Sequence, residues 1–89
     1  MSYETSTLQM LTYEGDIVSS WMFLWTHESK NVGILHIDKW GDVSGHKTLP
    51  RETAKSLFLS LREKGACKVP SSAYLPVYKA SIKYILERI

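Results

Sequence analysis

The sequence predicts an α+β domain: an antiparallel four-stranded β-meander followed by two α-helices packed on one face of the sheet, ββββαα. Three observations predict it. Residues 8–48 divide into short runs rich in β-branched and aromatic residues, separated by polar segments and glycines. Residues 50–64 place apolar side chains at helical spacing between a proline and a glycine. A second helical stripe runs from near Leu75-Pro76 to the last residue. The 89 residues are enough for one core and one domain.

The first strand runs from Leu8 to Tyr13 and ends at Glu14-Gly15-Asp16, where glycine admits the positive φ of a turn. The second covers Ile17 to His27 and holds the run Trp21-Met22-Phe23-Leu24-Trp25. After the polar loop Glu28–Asn31, the third strand spans Val32 to Trp40, and Gly41-Asp42 forms the next hairpin turn. The fourth, Val43 to Thr48, is polar at Ser44, Gly45, His46 and Lys47, as suits an edge.

Pro50 belongs at a helix start, where a missing N–H costs nothing, and Glu52 sits near the positive end of the helix dipole. Ala54, Leu57, Phe58 and Leu61 then form one face, and Lys64-Gly65 is a left-handed cap. Residues 66–72, with Pro70, are read as a connection. Tyr78, Ile82, Ile85, Leu86 and Ile89 form the stripe of the second helix.

Successive strand residues face opposite sides. Trp21, Phe23 and Trp25 therefore share one face, and Met22 and Leu24 the other; Val32 and Ile34 likewise oppose Leu35 and Ile37. Both faces of the sheet are apolar. Leaving one in water forgoes about 1.5–3 kcal/mol for each large side chain. A sheet curled into a partial barrel, the N-terminal segment, a second subunit or partner, or a ligand could cover the face that two helices leave bare. Trp21, Phe23, Trp25 and Trp40 are the interface candidates on this reading, because aromatic anchors often carry binding energy.

Charge is uneven. Residues 1–46 sum to −4 and residues 47–89 to +6. Arg51, Lys55, Lys79, Lys83 and Arg88 are the candidates for a basic helical side that would meet phosphates. The acidic strand half would repel them.

No catalytic motif is present. His36 and Asp38 share a strand face, and His27 on the neighbouring strand could be a third group, but no metal-ligand spacing surrounds them. Cys67 is a lone cysteine with Lys64 and Lys68 nearby. No serine sits in a nucleophile elbow and no glycine-rich phosphate loop exists. The expectation is a non-enzymatic protein-interaction module without cofactor or metal, its partner another protein or a second copy in a homodimer. The alternative is a weak nucleic-acid binder. With one cysteine, no membrane-length apolar run and no basic-then-apolar leader in Met1–Glu4, the expected compartment is the cytoplasm.

Overall fold

A computed structural model describes residues 3–89; Met1 and Ser2, part of the segment read for a leader, lie outside the described residues. The elements in chain order are β1 (Tyr3–Leu11), β2 (Ile17–Thr26), β3 (Asn31–Asp38), β4 (Val43–Pro50), α1 (Arg51–Glu63), β5 (Cys67–Val69), a short 3-10 turn (Ser71–Ala73) and α2 (Lys79–Leu86). The sheet is antiparallel throughout, in the order β4-β3-β2-β1-β5. The expected α+β class, meander and two helices are all present.

Two hairpin turns share one construction. Gly15 N–H donates to Thr12 O at 3.0 Å, and Gly41 N–H to Asp38 O at 3.1 Å. Both glycines have positive φ, 92° and 86°, which an L side chain rarely adopts. At the other end of the sheet, Arg51 ties the start of α1 to the β2–β3 turn. Its N–H donates to Lys30 O at 2.8 Å, and its guanidinium donates to Thr26 O and Ser29 O. The end of α1 closes as expected. Gly65 (φ 99°) donates to Arg62 O, and Ala66 donates to Leu61 O. That pair satisfies the last helical carbonyls.

The helices do not share a face, which corrects the expected packing. α1 lies on the face of Leu8, Phe23, Val32 and Ile34, covering it with Ala54, Leu57, Phe58 and Leu61. α2 lies on the face of Met22, Leu24, Leu35 and Ile37, covering it with Tyr78, Ile82 and Ile85. One helix per face is the physical answer to a sheet that is apolar on both sides. No curled barrel is needed.

The segment read as a connection makes this possible. Cys67, Lys68 and Val69 pair with Gln9, Leu8 and Thr7 as a fifth strand. The chain thus passes from the β4 edge, along α1, to the β1 edge. Pro70 then ends the pairing, since it has no N–H to give. The following residues wrap that edge: Thr7 and Ser71 hydroxyls are 2.6 Å apart, and Gln9 Nε2 donates to the Tyr74 hydroxyl. From there α2 packs over β3 and β4. It begins at Lys79, later than expected, because residues 74–78 are turns.

Candidate interaction surfaces

The four aromatic candidates have different surroundings. Phe23 is 0% exposed, with Trp25 stacked at 5.7 Å and Phe58 edge-on at 5.3 Å between ring centroids. It belongs to the core beneath α1 and is not accessible, because the helix covers its face. Trp25 is partly buried, and its Nε1–H donates to Ser6 Oγ at 3.1 Å. Trp21 is also partly buried, 5.2 Å from the His36 ring. Trp40 stands apart: it is 76% exposed in the β3–β4 turn, with Lys39 Nζ 4.6 Å from its ring centre.

Trp40 has company that sequence reasoning did not single out. Among the described residues, nine large apolar side chains are exposed, and five of them sit at the turn end of the sheet: Leu11, Tyr13, Ile17, Val18 and Trp40. Register gathers them. Leu11 pairs with Ile17, and Ser19↔Asp38 is the last pair of the β2–β3 ladder before the turn that carries Trp40, so Val18 and Trp40 both lie past that last pair. Tyr13, in the neighbouring turn, is fully exposed; by the shared hydrogen-bond pattern it stands at the position of Lys39, next to that of Trp40. Trp40 could have been flagged from sequence, since it immediately precedes the turn glycine Gly41; the others show their exposure only in the fold.

Asp38 builds this end. Its Oδ1 accepts from Trp40 N–H at 3.0 Å and from Asp42 N–H at 2.9 Å. Tyr78, at the start of α2, donates its hydroxyl proton to Gly41 O. Burial first, then repulsion from the charges of Tyr74, Asp42 and Asp38, holds the Tyr78 hydroxyl above its ordinary pKa of 10.0.

Asp38 is therefore a turn-capping residue, not a partner of His36. His36 Nδ1 instead lies 2.7 Å from Ser44 Oγ, on the β4 side where the ladder is irregular between His36 and Ile37. His27 lies beyond Thr26 at the opposite end of the sheet. Among the described residues no three His, Cys, Asp or Glu side chains are grouped to hold a metal ion. Cys67 is exposed on β5, its thiol directed at Gly65 O at 3.8 Å.

The basic candidates form two groups instead of one helical side, because the sheet separates their helices. Arg51 and Lys55 border a groove of about 500 Å³ on the α1 face. Lys79 and Lys83 border one of about 400 Å³ on the α2 face. Arg88 lies apart, its guanidinium 3.3 Å above the centre of the Tyr84 ring.

No family model matches the chain, and neither a curated protein nor a solved structure does. Among the described residues no helix is long and apolar enough to cross a membrane.

Proposed function

We propose that this domain is a non-enzymatic protein-interaction module, and that it docks a partner protein or a second copy of itself through the turn end of its sheet, around Trp40. The observation that carries this reading is the collection of Leu11, Tyr13, Ile17, Val18 and Trp40 as exposed apolar side chains at one end. Large apolar side chains gathered in water at one end of a small domain are the kind of surface that a contact covers. The backbone beneath it is hydrogen-bonded throughout, with two glycine-closed turns and the Asp38 carboxylate accepting from the Trp40 N–H. A pre-formed surface loses less entropy on binding. The reading relocates the aromatic interface from the sheet face, which α1 occupies, to the sheet end. Its compartment is the cytoplasm, where the exposed, unpaired thiol of Cys67 would remain reduced.

The test uses the wild-type chain and the exposed-site variants Trp40→Ser and Ile17→Ser. Light scattering over a concentration series reads self-association, and affinity capture from extract reads other partners. A dimer or a captured protein that both variants lose supports the proposal. Assembly and capture unchanged by both substitutions would sink it.

A further inference from the structure

The β1 edge is only half covered. β5 pairs with Thr7, Leu8 and Gln9 and then stops at Pro70. Tyr3–Ser6 are paired with β2 on one side; on the other, Pro70 falls opposite Ser6 and the 3-10 turn then leaves the edge with its Ser71 hydroxyl on Thr7, and no strand among the described residues meets the stretch. Half of the backbone N–H and C=O groups of such a stretch point outward.

Two grooves flank this open stretch, one on each face of the sheet. On the α1 face, Glu4 and Ser6 border a groove with Trp25, Phe58 and Leu59 as apolar wall and Lys55 and Lys68 beside them. On the α2 face, Tyr3 borders a groove walled by Leu75, Ile82 and Leu86, with Lys79 and Lys83 beside them. Counting Arg51, five cations line the two grooves against two carboxylates, Glu4 and Glu87.

We infer that Tyr3–Ser6 is a strand-addition site for an extended acidic peptide segment. A strand laid along this edge would lie beyond Pro70 on the line of β5, about 4.8 Å from β1. Its main chain takes up the outward-pointing groups of β1. Its side chains alternate between the faces, so apolar residues enter both grooves while flanking carboxylates meet the lysines on either side. Charge complementarity selects the occupant: five cations favour an acidic segment over a neutral or basic one. This site is separate from the Trp40 end, and either can fail alone.

The probe is the capped peptide Asp-Glu-Val-Phe-Val-Leu-Glu-Asp, compared with its Asn/Gln counterpart and with single-stranded oligo-dT. Amide hydrogen exchange and NMR shifts of the whole chain give the site; fluorescence titration gives affinity. Slowed exchange of outward amides within Tyr3–Ser6, and at least tenfold weaker binding of the neutral peptide, are expected. Lys55→Glu and Lys83→Glu, on opposite faces of the sheet, should each weaken binding severalfold, which only a ligand straddling the edge explains. Four results would overturn the inference: no binding, binding that leaves the Tyr3–Ser6 amides unchanged, sensitivity to one lysine only, or oligo-dT binding at the same residues as tightly as the peptide. So would protection of these amides without peptide in a species of doubled mass, which would mean a second copy holds the edge.

Discussion

Gly33 lies directly beneath Ile85. A methyl group on its Cα would stand 3.0 Å from Ile85 Cγ1 and 3.3 Å from both Cδ1 and Cγ2. All three atoms belong to one fully buried side chain, which has little room to give way. Gly33→Ala is therefore expected to destabilise by about 1–2 kcal/mol, the strain of overpacking outweighing the small entropic gain over glycine. Urea unfolding measures it. Adding Ile85→Val should recover part of the loss in a double-mutant cycle; strict additivity would show that the two residues are not coupled.

The aromatic residues should separate sharply in stability. Phe23→Ala opens a cavity under α1 and is expected to cost about 3–5 kcal/mol, a large share of what a domain of this size has. Trp40→Ala removes an exposed ring and should stay within about 0.5 kcal/mol. Chemical denaturation of the two variants checks this. Equal losses would mean that the Trp40 side chain is packed.

Asp38 supports the surface that Trp40 presents. Asp38→Ala removes the acceptor of two backbone N–H groups and should cost about 1 kcal/mol. Its distinctive effect is local: amide exchange at Trp40 and Asp42 should rise while the sheet centre stays protected. Unchanged exchange at both amides would remove Asp38 from this role.

Tyr78 predicts an alkaline limit. Its folded-state pKa is raised, chiefly by burial, above the ordinary 10.0. The native state thus holds the proton more tightly than the unfolded chain does. The Tyr78 contribution to stability is complete below about pH 10 and is lost as pH rises through the folded-state value. Tyr78→Phe should be less stable by about 1 kcal/mol at neutral pH, having lost the bond to Gly41 O, yet decline less steeply above pH 10. Identical alkaline slopes for the two proteins would refute this assignment.

Several elements were legible because their signals are local. Gly15, Gly41 and Gly65 mark chain reversals by positive φ alone. The Ala54, Leu57, Phe58, Leu61 stripe defines α1 from its own spacing. β5 had no such signal. Cys67–Val69 is too short to show a period, and it is a strand only because β1 offers it partners 60 residues away. The candidate surfaces were partly hidden for the same reason. Trp21, Phe23, Trp25 and Trp40 look alike in sequence, and their exposure depends on where a distant helix lies.

The sequence by itself determined which residues share a face, because a side-chain period of two on strands and 3.6 on helices follows from backbone geometry. It thereby established that both faces of the sheet need cover. Only the tertiary structure decided what covers each. The short pairing of β5 with β1 carries the chain across to the far edge, and Pro70 releases it there, so α2 reaches the opposite face from α1. That placement buries Phe23, leaves Trp40 in water and divides the basic residues between two faces. These outcomes follow from contacts between segments far apart in sequence, which no local pattern encodes.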